Sequence, residues 1–269
     1  LPLSRTFIGL EKFNAMVAQA EAEHWTGLPL SERVVRSALA MQGTPYVSYT
    51  LEIDDHLESP SVNFHGQDCW TFFEIALGLG RMFGQSKSRH TPANLLREIE
   101  LTRYRGGVCH GQYLDRIHYL DEWFRDNHRR GHVRDITRSL GPTVPLEGRR
   151  IDEMTLLWKS YRYLKNNPEL RPGMAEIEAE LQTHAFHYLP KQSVEAIEPK
   201  LQSGDIIGIV THLPHVYCSH VGLALRTRDG VCHFMHASAT QKRVMIDKSV
   251  SGYLNGFKKH AGIVVARPL

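Results

Sequence analysis

The apolar positions follow a helical period over the first two-thirds of the chain and a strand period over the last third. Between residues 7 and 24, Phe7, Ile8, Leu10, Phe13, Met16, Val17 and Ala20 recur at helical spacing. Ser31 reads as the N-cap of a second helix that runs through Met41 and is stopped by Gly43 and Pro45. Residues 46 to 62 alternate weakly, as a short extended segment plus a loop. From Cys69 onward, Phe72, Phe73, Ala76, Leu77 and Leu79 mark a buried helix, with Gly78 and Gly80 weakening its end. Thr91-Pro92 opens another helix with proline in the first helical position, and residues 113 to 127 continue helically. Residues 133 to 151 read as extended or irregular. Ile151 to Lys165 and Met174 to Tyr188 read as helices, broken by Pro168 and Pro172-Gly173, before a short helix near Val194 to Ile197.

From Gly204-Asp205 the pattern changes. Ile206-Ile207-Gly208-Ile209-Val210 is a continuous apolar run, the mark of a fully buried strand. Val221 to Leu225 and Val231 to Met235 flank Arg226-Thr227-Arg228-Asp229-Gly230, and Asp-Gly between apolar runs predicts a hairpin. A short helix near Ser249 to Phe257 and a strand Gly262 to Ala266 follow. Helices first and an antiparallel sheet last make this an α+β chain. At 269 residues and 42% hydrophobic it can bury a full core. The expectation is one large domain over 1–269, or one domain with a sizeable insertion.

Candidate chemistry begins at Cys69, placed in the first turn of its helix. Attack on a carbonyl needs a thiolate, and unpaired N–H groups with the helix dipole favour negative charge there, so a lowered pKa is expected. Taken alone, Cys69 reads first as a small core residue, as most cysteines are. The hairpin supplies what a lone cysteine lacks. With the turn centred near Arg228-Asp229, His220 lies opposite residue 236 or 237, and cross-strand neighbours sit about 5 Å apart. His220 is then the candidate base and His236 the group that orients it. The same three residues suit zinc in principle, but no His-Glu-x-x-His or Cys-x-x-Cys motif is present, so neither metal nor cofactor is expected. Cys109 beside His110 reads as structural.

Net charge is +3 with a sequence pI of about 8.7, which excludes a strongly basic nucleic-acid binder. His128-Arg129-Arg130-Gly131-His132 is short, lacks interleaved aromatics and reads as a solvated loop. No stretch reaches the ~18 apolar residues of a membrane span. The chain opens on Leu1 rather than Met, so a removed export signal and a periplasmic or extracellular location are expected. The four cysteines are expected to be free thiols, Cys218 and Cys232 being about six residues out of register in the hairpin pairing.

Three blocks resemble the NlpC-type papain-like cysteine hydrolases of bacterial cell walls: Asp68-Cys69 with its aromatic helix, Gly204-Asp205 through His220-Val221-Gly222, and His236-Ala237-Ser238. Gly43-Thr44-Pro45-Tyr46 looks like their Gly-x-Pro-Tyr element. With Leu51-Glu52, Arg103-Tyr104-Arg105, Gly111, Arg116-Ile117-His118-Tyr119 and Trp123, the likeness narrows to the N-acetylmuramoyl-L-alanine amidase-like branch. The resemblance implies a single catalytic domain over 1–269, a papain-like core of helices on an antiparallel sheet, carrying a large, mostly helical insertion over roughly 85–200 between nucleophile and base that shapes the cleft. It implies Cys69 as nucleophile, His220 as base, His236 as third member and Tyr46 at the site. Compact relatives have a much shorter gap between nucleophile and base. Arg103, Arg105, Arg116 and Tyr119 then become a clamp for a carboxylate or sugar, or else a salt-bridged surface. Asp68 caps its helix or binds a substrate amine. The implied substrate is peptidoglycan or its fragments, cut between N-acetylmuramic acid and L-Ala. The alternatives are a stem-peptide bond, a non-wall amide or lipid, and a binding module on the same fold.

Overall fold

An antiparallel sheet of eight strands forms the centre of the computed structural model, which describes residues 1–269. Its strands are β1 (Val133–Asp135), β2 (Val144–Pro145), β3 (His187–Pro190), β4 (Ile206–Thr211), β5 (Cys218–Arg226), β6 (Cys232–Ser238), β7 (Arg243–Ser249) and β8 (His260–Pro268). They are ordered β2-β3-β8-β4-β5-β6-β7, and β1 also pairs with β8. Around the sheet lie α1 (Leu10–Ala22), α2 (Leu30–Ala40), α3 (Cys69–Phe83), α4 (Pro92–Arg103), α5 (Leu120–Arg129), α6 (Glu153–Leu156), α7 (Arg171–Gln182), α8 (Lys191–Ile197) and α9 (Val250–Asn255). The α+β reading holds.

The apolar run of β4 is explained by burial on both faces. Ile206 and Val210 join the core beneath α3, with Val221, Leu223 and Met235. Ile207 and Ile209 join a second core beneath α8 and α9, with Ala224, Phe234 and Leu254. A strand covered on both faces has no position left for a polar side chain.

Several local expectations are corrected. Ser31 lies inside α2, whose N-cap is Pro29 without a side-chain hydrogen bond. Phe7 and Ile8 belong not to a helix but to a two-stranded parallel pair with Val62 and Asn63. Residues 113–127 are not one helix: a single turn at Tyr113–Asp115 precedes α5. Pro172-Gly173 opens α7 instead of breaking it, because proline is tolerated in a first turn. Gly78 and Gly80 do not weaken α3. A Cβ at Gly80 would lie 2.6 Å from Val34 of α2, and one at Gly78 3.0 Å from Ile99 of α4, so both glycines admit neighbouring helices. The stretch between α3 and β4 is more than a helical addition. It supplies β1, β2 and β3 to the sheet, and Leu120, Trp123 and Phe124 to the main core.

Candidate active site

Cys69 is the first residue of α3, as its spacing predicts, and Asp68 is the N-cap. Thr71 N–H donates to the Asp68 carboxylate at 2.8 Å, and Asp68 N–H donates back to Thr71 Oγ1 at 3.0 Å. This reciprocal box fixes where the helix starts and therefore where the thiol stands. It gives Asp68 the capping role, and Asp68 also lines the cavity beside the thiol. Tyr46 arrives by a separate route. Gly43 N–H donates to Val244 O at 2.9 Å and Tyr46 N–H to Lys242 O at 2.9 Å, so this segment pairs along the start of the edge strand β7. Tyr46 also bridges to Gln67, two residues before the thiol.

The histidines meet, although not as direct opposites. β5 and β6 pair Leu223 with Met235 and Ala224 with Phe234, which leaves His220 two residues along from the position facing His236. The contact is diagonal, within reach of long side chains on one face. His220 Nε2 and His236 Nδ1 lie 2.6 Å apart. A Cβ at Gly222 would sit 2.5 Å from Met235 O and 2.7 Å from the Phe234 ring, so the glycine in His220-Val221-Gly222 makes room for this layer. Phe234 stacks on His236 at 4.8 Å, and Tyr253 of α9 packs against it at 5.1 Å. A bulge at Ser219, where Ile209 pairs with His220 and Val210 with Cys218, sends Cys218 and His220 to opposite faces. All four cysteines are free.

Sequence reasoning missed Asp247, on β7, whose Oδ2 lies 3.3 Å from His236 Nε2. Its signal was present as the polar residue after Val244-Met245-Ile246, one strand beyond His236. Both ring nitrogens of His236 are thus engaged, and no cluster of His, Cys, Asp and Glu has the geometry to hold a metal ion.

Cys69 and His220 line one cavity of about 390 Å³. The expected low thiol pKa is not found. Burial pushes the Cys69 thiol up to about 12, with help from the adjacent Asp68 carboxylate. The N–H groups of Val221, Cys69 and Trp70 pull the other way, so the helix-start effect exists but is outweighed. Burial holds His220 well below the usual imidazole value, with His236, His260 and Lys259 adding to the shift. His236 is lowered by burial, against the pull of Asp247. Both shifts favour the uncharged forms, a neutral thiol and a neutral imidazole.

The four insertion residues separate. Arg103 does not reach the cavity: it is wholly buried, donating through Nε to Glu74 at 2.7 Å and through Nη1 to Ser61 O at 3.0 Å. Arg105 is turned away too, paired with Glu122 and the carbonyl of Leu114. Arg116 and Tyr119 do line the cavity. Tyr119 spends its hydroxyl on Glu178 at 2.6 Å, which leaves its ring as wall. Arg116 lies between Glu52 at 3.5 Å and Glu58 at 3.7 Å, and its Nη1 has no protein partner.

A family model described as AmiA-like, N-acetylmuramoyl-L-alanine amidase-like, matches residues 37–263. A structure of an N-acetylmuramoyl-L-alanine amidase from Bacteroides uniformis is 30% identical, with a TM-score of 0.78 over 89% of this chain and 98% of that one. A structure described as a putative xylanase from Bacteroides fragilis is 32% identical, with a TM-score of 0.75 over 87% of this chain and 99% of that one. A Legionella pneumophila protein shares the fold at 19% identity, with a TM-score of 0.71 over 96% of this chain and 95% of that one. No match is found among curated protein sequences.

Proposed function

Because the chain belongs to the N-acetylmuramoyl-L-alanine amidase-like family, we propose that it hydrolyses the amide between N-acetylmuramic acid and L-Ala in bacterial peptidoglycan or its fragments. The observation that carries the mechanism is one cavity lined by a helix-start thiol and a strand imidazole. Cys before His, on a helix and then a strand, is the arrangement of the NlpC-type papain-like hydrolases, and we read the core as one of these.

In this mechanism His220 takes the Cys69 proton as the sulfur attacks the lactyl carbonyl, and the N–H groups at the start of α3 hold the oxyanion. Collapse breaks the C–N bond. The imidazolium gives its proton to the leaving L-Ala amine, and a thioester to the sugar acid remains. Water, deprotonated by His220, then frees the sugar and regenerates the thiol. His236 orients His220 throughout. A neutral resting pair suits this sequence, since proton transfer and attack occur together once the carbonyl is positioned. Arg116, which lines the cavity, is the proposed remote contact for a substrate carboxylate or carbonyl. We read the enzyme as exported, since the intact wall lies outside the cytoplasm.

Glycoside hydrolysis, suggested by the xylanase description, requires two free carboxylates flanking the bond. Three carboxylates line this cavity and each is engaged: Asp68 caps α3, Glu52 accepts from Tyr113 Oη at 2.7 Å and Tyr163 N–H at 3.2 Å, and Glu153 accepts from Tyr161 Oη at 3.1 Å. Mass spectrometry after incubation with intact N-acetylmuramoyl peptides decides the bond. Free muramyl sugar plus a peptide beginning with L-Ala is expected. A sugar that still carries L-Ala-D-Glu would replace the amidase reading with a stem endopeptidase and leave the Cys69–His220 chemistry standing.

A further inference from the structure

Three side chains on successive strands form one hydrogen-bonded line, from His220 on β5 through His236 on β6 to Asp247 on β7. The spacings are 2.6 Å for His220 Nε2 to His236 Nδ1 and 3.3 Å for His236 Nε2 to Asp247 Oδ2. The far carboxylate oxygen is fixed as well: Lys248 N–H donates to Asp247 Oδ1 at 2.7 Å. Asp247 stands where the β6–β7 register shifts, His233 facing Ser249 but Met235 facing Ile246, and such irregularities re-aim side chains.

We propose that Asp247 is a positioning residue that selects the tautomer of both histidines and so leaves His220 Nδ1 bare for the thiol proton. The proposal rests on the Cys69–His220 mechanism above. Each link follows from what the groups can do. A carboxylate only accepts, so His236 Nε2 carries the hydrogen that faces Asp247. A neutral imidazole carries one hydrogen, so His236 Nδ1 is an acceptor. His220 Nε2 must then be the donor across the 2.6 Å contact, and its single hydrogen is used. Nδ1, the nitrogen not held by His236, keeps its lone pair. Without the carboxylate the line runs equally well in reverse, with His220 Nδ1 protonated and useless as a base.

The anchoring of Oδ1 makes the consequence specific. In Asp247→Asn the amide oxygen stays on Lys248 N–H, and the NH₂ group takes the place of Oδ2. A donor then faces His236 Nε2, which inverts the whole line. Asp247→Ala merely removes the bias. Asn should therefore be the worse substitution: turnover of an N-acetylmuramoyl peptide falls on the order of 10²-fold or more in Asp247→Asn and roughly tenfold in Asp247→Ala. A residue that only braced the strand would rank them the other way, since Asn is the closer isostere.

Imidazole ¹⁵N NMR of the full, unsubstituted chain tests the tautomers with no dependence on how the variants fold. His220 and His236 should both be protonated at Nε2, with bare Nδ1. A resting His220 protonated at Nδ1, or Asp247→Asn no worse than Asp247→Ala, overturns the proposal. Cys69→Ala, run beside them, separates the two layers. If that variant still turns over substrate, the underlying mechanism fails and takes the role of Asp247 with it. If it is inactive and the Asn–Ala order is wrong, the role of Asp247 alone fails.

Discussion

The cavity has two walls of different construction. On the sheet side, His220 lines the cavity and His236 and Asp247 stand behind it on consecutive strands, 16 and 11 residues apart, brought together by the strand register. On the helical side, Tyr113 and Arg116 meet Glu52 across 61 and 64 residues, through loops whose course no local rule dictates. The sheet wall carries the proposed chemistry and the helical wall the proposed recognition. In the first, position follows from counting along a hairpin. In the second, residues that look equivalent in the sequence take unrelated roles. Arg103, Arg105 and Arg116 share a charge and a neighbourhood of glycines, yet one is locked in the core, one is paired off the cavity and one lines it.

The sharpest break between the walls is expected from the sheet side. His220→Ala should cost roughly 10²–10⁴ in kcat/KM, and Cys69→Ala at least as much, because in the proposed mechanism base and nucleophile act as a unit. Thermal unfolding should barely move, since Cys69 is small and only partly buried. A Cys69→Ala enzyme with near-parental turnover would end the division of labour between the walls.

Among the arginines, Arg103 should show the largest effect, and on stability alone. Arg103→Ala leaves the Glu74 carboxylate buried without its partner, and breaking such a pair costs about 3–5 kcal/mol. Denaturant unfolding should report that loss, while KM of the surviving folded enzyme stays unchanged. Arg116→Lys keeps a positive charge between Glu52 and Glu58 but removes the planar fork. It should raise KM about tenfold with little loss of stability. If Arg103→Ala raises KM instead, or Arg116→Lys leaves it alone, the functional partition within the helical wall is wrong.

These roles show what a sequence can reveal. Cys69 at a helix start, the helix opened by Thr91-Pro92 and the β5–β6 hairpin all rest on interactions within a few residues, and all are found where expected. The register of that hairpin differed by one or two residues, because an Asp-Gly turn allows more than one loop length. The two histidines still meet because the diagonal neighbour shares their face. The raised thiol pKa was illegible for another reason: it depends on how completely the cavity walls exclude water, which no local motif encodes. Arg103 was misjudged in the same way, its partner Glu74 lying 29 residues back on α3.

The smallest effect compares the walls through a histidine on each. Burial lowers the pKa of His220 on the sheet side and of His118 on the helical side, where Arg116 and Arg105 add to it. The catalytic consequence follows from His220 alone. The base is active when unprotonated, so the acid limb of kcat/KM should fall below the ordinary imidazole value of about 6.5. The stability consequence has the opposite sense and involves both residues. In the unfolded chain each histidine takes up a proton near pH ~6.5, whereas the folded protein resists until its lower pKa is reached. Stability is therefore intact above pH ~6.5 and declines as pH falls from there towards the folded-state pKa. Between the two limits Tm should drop while kcat/KM, measured well below Tm, stays level. His118→Gln keeps a donor for the Tyr113 carbonyl, which His118 Nε2 meets at 3.1 Å, and removes one titrating group. It should reduce the loss of Tm in acid and leave the kinetic limb in place. A kinetic limb that moves with His118→Gln would mean that the walls titrate as one system.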